Sequence, residues 1–260
     1  MRMERSLLWG GQLVSLLFLG LSTTASADWW GDDCRQEQRL THDVDFTGVR
    51  SVKVEAGAGA LEIRGERGLT SAEVVGQACA RSQRTLEQID LAVERRDDTL
   101  MIASVLPRNS DDARLSLEIR VPDDVAVILR DSSGSLAVAD VRQLELTDSS
   151  GSITVERIAE DVHILSDSSG SIDLRRVGDV RIDRDSSGSI TVEQARSLVV
   201  QSDTSGSINA RDIEGDVTVV SDTSGSIDVA RVAGSFTVER DTSGGIRHDA
   251  VVGEVRIPRQ

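Results

Sequence analysis

From Leu136 onward, aliphatic residues recur two, four and seven positions after a glycine, and most positions between them are polar. The first set is Leu136, Ile153, Ile172, Ile190, Ile208, Ile227 and Ile246. The second is Val138, Val155, Leu174, Val192, Ala210, Val229 and then His248. The third is Val141, Ile158, Val177, Ala195, Ile213, Val232 and Val251. Alternation with a period of two marks a strand with one buried face. A second apolar pair follows in each repeat: Leu144/Leu146, Val162/Ile164, Val180/Ile182, Leu198/Val200, Val217/Val219, Phe236/Val238 and Val255/Ile257. Each repeat therefore predicts two short strands joined by corners. No helical spacing occurs between residues 131 and 257, and a glycine in every repeat would cost a helix about 1 kcal/mol each. The asparagine-centred consensus of a leucine-rich repeat is also missing. The pattern predicts an all-β parallel β-helix, a solenoid with one coil per repeat.

The glycines close Asp-(Ser/Thr)-Ser-Gly blocks that begin at Asp131, Asp148, Asp167, Asp185, Asp203, Asp222 and Asp241, at spacings of 17, 19, 18, 18, 19 and 19 residues. Coils of about 18 residues stack roughly 4.8 Å apart, so one corner must recur in register. Glycine suits a corner backbone that other residues adopt only with strain. The aspartate can accept amide hydrogens from the residues just after it, and the hydroxyls can bond to local backbone or to the neighbouring coil. A column of carboxylates repels itself. Amide donors offset this, and Arg130, Arg184 and Arg240, each preceding a block aspartate, add positive charge. The sharper alternative is a calcium ladder on Asp148, Asp167, Asp185, Asp203 and Asp222, but calcium needs six to eight oxygens per ion and one acidic column supplies few. A carboxylate turn of this kind predicts loss of stability on acidification.

A second column supports the stacking. Five residues after the glycines stand Glu156, Arg175, Glu193 and Arg211, which in register form an outer ladder of alternating sign. Each such pair contributes a few tenths of a kcal/mol and disfavours slippage by one coil.

Three segments follow from this reading. Residues 1–27 have the layout of a secretory signal peptide: Arg2 and Arg5, an apolar stretch from Leu7 to Leu21, and the small residues Ala25, Ser26 and Ala27. The apolar stretch falls short of the roughly 20 residues that span a bilayer. Residues 28–130 read as a β-rich N-terminal cap containing the first coil (Val52, Val54, then Gly59 to Ile63), a strand at 72–80, helical turns within 82–88, a hairpin of 89–95 with 99–105, and a strand at 115–122. Residues 131–257 hold the seven repeats. At the far end His248 and Pro258 mark termination, and the solenoid ends offer a route to oligomers. Removing Arg2, Glu4 and Arg5 with the leader moves the formal charge from −15 to −16. That acidity argues against nucleic acid and anionic membranes as partners. In an exported chain Cys34 and Cys79 read as a disulfide, and its closed loop is worth roughly 3–4 kcal/mol in the chain-entropy model.

The segment GSINARDIEGDVTVVSDTSGS at Gly206–Ser226, preceded by VPDDVAVIL at Val121–Leu129, resembles the bacterial β-strand-repeat family labelled putative adhesin, related to the head domains of autotransporter adhesins. The resemblance covers roughly Asp43–Ile257. It implies a single-stranded right-handed β-helix and brings no catalytic residues.

The residues themselves offer no catalytic or cofactor constellation. His42, His163 and His248 are far apart in sequence, and His163 falls between two inward positions, so it faces solvent. No serine block has a neighbouring base or a nucleophile elbow. The only aromatics after residue 27 are Trp29, Trp30, Phe46 and Phe236, too few for a sugar-stacking groove. The reading is an exported, non-enzymatic structural or interaction protein of the periplasm or cell surface, with an envelope or surface partner that the sequence does not name. A cation- or ligand-binding solenoid, an ice-binding array among them, and a glycan-active enzyme remain as alternatives.

Overall fold

The computed structural model describes residues 34–108 and 111–258. The leader and both N-terminal tryptophans lie outside the described residues. The first part of the chain forms β1 (Gln36–Asp45), β2 (Ser51–Glu55), β3 (Leu61–Glu66), β4 (Ser71–Ala80), the helical turn α1 (Gln83–Leu86), the hairpin of β5 (Asp90–Arg96) and β6 (Thr99–Val105), and β7 (Arg114–Pro122). Ser82 caps α1 by accepting the Thr85 amide at 3.1 Å.

Seven coils follow. β8 (Ala126–Arg130) leads to β9 (Leu136–Ala139), β10 (Gln143–Thr147) to β11 (Ile153–Ile158), and β12 (Val162–Ser166) to the first half of β13 (Ile172–Ile182). The second half of β13 leads to the first half of β14 (Gly188–Val200), and the second half of β14 to β15 (Gly206–Ile213). β16 (Val217–Asp222) then leads to β17 (Gly225–Val232), and β18 (Phe236–Asp241) to β19 (Gly244–Val251), before β20 (Val255–Arg256).

Parallel pairing stacks these strands into two ladders. The post-glycine isoleucines align coil on coil, Ile153 with Ile172, Ile190, Ile208, Ile227 and Ile246. The opposite ladder aligns Leu144, Val162, Val180, Leu198, Val217, Phe236 and Val255. Both sets point into one core, in which Ile172, Ile190, Val217 and Phe236 have no exposed surface. The protein is an all-β parallel solenoid of about seven turns, as the periodicity predicts.

The order of coils at the N-terminal end is not visible in the sequence. The β2–β3 coil lies between β8–β9 on one side and β6–β7 on the other. The chain makes its second coil first, runs out through β4 and β5, lays β6 and β7 outside it, and returns to the other side. Antiparallel strands then cover that end: β4 on β7, β1 on β4 and β5 on β6. The Cys34–Cys79 disulfide pins the start of β1 to β4, with the Cα atoms 5.6 Å apart.

Candidate functional site on the two solenoid corners

The Asp-Ser-Ser-Gly blocks stack along one corner. Each glycine has φ between +127° and +142°, and Gly59 of the early coil joins them at +144°. A Cβ on Gly188 would lie 1.5 Å from the Gly170 carbonyl oxygen, so both the dihedral and the close stacking require glycine. The third residue of the block points outward and ties coils together. The hydroxyls of Ser150, Ser187, Ser205, Ser224 and Ser243 each donate to a carbonyl of the preceding coil at 3.1–3.2 Å.

The aspartates turn inward. Asp148, Asp167, Asp185, Asp203 and Asp222 are each 1 % exposed, and parallel bridges join Asp167 to Asp185, Asp185 to Asp203 and Asp203 to Asp222. The expected turn, in which each carboxylate accepts amides just after it, forms only in part: Ser169 donates to Asp167 at 3.3 Å. Ser149 donates to Asp148 at 2.7 Å, but no hydrogen bond reaches either carboxylate oxygen of Asp185, Asp203 or Asp222. Among the described residues no ion pair joins Arg130, Arg184 or Arg240 to a block aspartate. Burial is the main force on these carboxyls and favours their neutral form, with neighbouring aspartates adding to it at several. Asp131 and Asp167 are pushed up to about 6 and Asp203 to about 7, with partial relief from nearby amides. Asp148, Asp185 and Asp222 shift in the same direction. No three His, Cys, Asp or Glu side chains among the described residues converge as a metal site requires.

The opposite corner carries a second column. Asp140, Arg157, Arg176, Gln194, Asp212, Arg231 and Ala250 all adopt left-handed backbone, with φ between 51° and 60°. L-residues there cost roughly 1–2 kcal/mol each. Each sits six positions after a block glycine and just before the third inward aliphatic, where the chain folds back toward the other ladder. Their side chains pair between coils. Arg157 grips Asp140 through two contacts of 2.6 and 2.7 Å, and Arg231 grips Asp212 through contacts of 2.5 and 2.7 Å. The guanidinium partner holds each of these two aspartates below the usual carboxylate range. Alongside runs an open groove of about 700 Å³, with Val177, Ala195, Ile213 and Val232 on its floor and Arg176, Arg196, Glu214 and Arg231 among its rim. The sequence reading missed this corner. Its signal is the step from four to seven residues after each glycine, which breaks strict alternation.

The remaining sequence-derived positions distribute as follows. Glu156, Arg175, Glu193 and Arg211 share one register across four coils, but only Arg175–Glu193 is an ion pair, at 3.7 Å, because Glu156 turns to Arg157 and Arg176. His163 Nε2 lies 2.8 Å from Asp183 and is partly exposed. His248 occupies an inward register position opposite Val229, with its ring 6.2 Å from that of Phe236. Phe46 and Phe236 are buried, so neither aromatic faces solvent.

The chain is similar to several solved structures at low identity, three of which follow. The "putative lipid binding protein" of Parabacteroides distasonis ATCC 8503 is 14 % identical, with a TM-score of 0.46 over 86 % of this chain and 98 % of that one. The "putative cell adhesion protein" of Clostridium sporogenes ATCC 15579 is 12 % identical, with a TM-score of 0.35 over 85 % and 98 %. The "putative adhesin" of Parabacteroides merdae ATCC 43184 is 11 % identical, with a TM-score of 0.39 over 85 % and 97 %. No curated protein matches the sequence significantly. The Toastrack DUF4097 family model matches residues 49–259, from just before β2 to beyond β20, and the chain belongs to that family.

Proposed function

We propose that this Toastrack chain is an exported, non-enzymatic structural and interaction module of the bacterial cell envelope, adhesin-like in presenting one long rigid face to a partner. The observation that carries this reading is the groove on the left-handed corner. It extends from Ile158 to Val252, across consecutive coils, with an apolar floor and a charged rim. Its shape suits an extended partner lying along the solenoid rather than a small substrate enclosed by protein, since small-molecule sites bury most of their ligand. The conspicuous charges are also committed. Arg157/Asp140 and Arg231/Asp212 neutralise each other, and the block carboxylates are turned inside.

The test uses the chain from Asp28 to Gln260 on isolated envelope material. Retention of the wild type, with at least tenfold weaker retention of an Arg196→Glu/Arg231→Glu variant that melts normally, supports the reading. Equal retention of both, or none by either, rejects it. Mass spectrometry of the exported protein is expected to find Asp28 at its N-terminus.

A further inference from the structure

Residues 183–189 lie between the core residues Ile182 and Ile190, and residues 201–207 between Val200 and Ile208. Neither segment holds an aliphatic or aromatic residue. The only buried residue in each is its block aspartate, Asp185 or Asp203. The bonds that hold the blocks run from block to block. The Asp185 amide donates to the Ser202 carbonyl, the Thr204 amide to Asp185 and the Gly188 amide to Ser205, at 2.9–3.1 Å. The Ser205 hydroxyl donates to the Ser186 carbonyl at 3.2 Å. The corner is thus bonded mainly to itself, and each block reaches the core through one carboxyl. Segments with few buried apolar contacts are where a fold opens first.

That carboxyl carries a charge the interior does not support. Neither oxygen of Asp185, Asp203 or Asp222 has a hydrogen-bond partner. The titratable groups that act on the column are its own members: Asp185 and Asp222 on Asp203, Asp148 and Asp185 on Asp167, and Asp241 on Asp222. Of the other charges beside it, Arg130, Arg184, Glu239 and Arg240 are exposed and form no ion pair with it among the described residues. Asp183 is held by His163 and Arg181. An ionised carboxylate gains little from such surroundings and much from water. The opposite corner is built the other way, from the paired charges of Arg157 with Asp140 and Arg231 with Asp212. We infer that the Asp-Ser/Thr-Ser-Gly column is a proton-controlled seam, closed against the core while its aspartates are neutral, whose blocks swing out to water on ionisation while the two ladders stay paired. This inference does not depend on the groove reading.

Hydrogen exchange of the chain from Asp28 to Gln260 at pH 5.5 and pH 8, corrected for intrinsic rates, tests it. Opening returns the Asp203 carboxyl from about 7 to the ordinary value near 3.9, which raises the opening constant roughly thirtyfold between these two conditions. Protection of residues 185–188 and 203–206 is expected to fall at least tenfold at pH 8, while residues 191–200 and 209–213 keep theirs. The triple variant Asp185→Asn/Asp203→Asn/Asp222→Asn, which removes the charge at constant shape, is expected to stay protected at both. Equal protection of the wild-type blocks at the two pH values, a loss spread evenly over blocks and ladders, or an unchanged pH response in the triple variant would overturn the inference. If the triple variant does not fold, the wild-type comparison decides alone.

Discussion

Asp185 and Asp203 stand one above the other on consecutive coils, joined by a backbone bridge, and none of their four carboxylate oxygens has a hydrogen-bond partner. The direction of their pKa shifts decides how stability follows pH. A carboxyl whose folded pKa is raised stabilises the fold fully below its unfolded pKa, near 3.9, and loses that contribution as pH rises through the folded value. For Asp203 that value is about 7 and for Asp167 about 6. The column therefore loses stability between about pH 4 and 7, the reverse of the acid lability a satisfied carboxylate turn predicts. The ion-paired aspartates, half-buried Asp140 and exposed Asp212 among them, have lowered values and act oppositely, losing their contribution only below about pH 4. Thermal melting is expected to peak in mildly acidic buffer. Asp203→Asn, which removes the charge at constant shape, is expected to raise Tm at pH 8 and to lose that advantage by pH 5. A higher wild-type Tm at pH 8 than at pH 5, with no gain from Asp203→Asn, would contradict the inward column.

The facing of the first strand in each coil predicts a contrast between neighbours. Ile190 has no exposed surface, whereas Ser189 is exposed. Ile190→Asp places an unpaired charge in the core and is expected to cost several kcal/mol. Ser189→Ala is expected to stay within about 0.5 kcal/mol of wild type. Hydrogen exchange read by mass spectrometry should localise the Ile190→Asp defect to β13, β14 and β15.

The two corners predict opposite responses to glycine. Gly188→Ala meets the Gly170 carbonyl and adopts φ +129°, so it is expected to lower stability by at least about 3 kcal/mol. Gln194 sits at φ 59° in the other column. Gln194→Gly relieves that strain and is expected to be neutral or stabilising by up to about 1 kcal/mol. Chemical denaturation of both variants checks the pair.

Reduction of Cys34–Cys79, or Cys79→Ala, releases β1 from β4. The expected cost is roughly 3–4 kcal/mol in the chain-entropy model, with new hydrogen exchange confined to β1 and β4. Unchanged melting after reduction would show that the β1–β4 pairing holds that end without the bridge.

The solenoid was legible because its repeat forces the same facing on every coil. Ile153, Ile172 and Ile190 each follow a glycine by two residues, and no other architecture stacks them. The partner of Cys34 was legible because only two cysteines exist. The inward turn of the aspartates was not, since an Asp in a turn block reads the same whether its carboxyl meets amides or the core. The insertion of β6 and β7 outside β2 and β3 was also hidden. Strand patterns fix which face is buried, but not which neighbour lies on either side of the coil. The left-handed corner was half visible. The residues there include no Val, Ile or Thr, and the alternation skips a position, yet Arg157 and Gln194 look like ordinary surface residues.

The central claim is that the block aspartates are interior corner residues with displaced titrations. Carbon-13 NMR of the side-chain carboxyls across a pH series tests it most directly. The account predicts that Asp203 titrates near 7 and Asp131 and Asp167 near 6, well apart from the surface carboxylates. Titration of all three near pH 4 would contradict it.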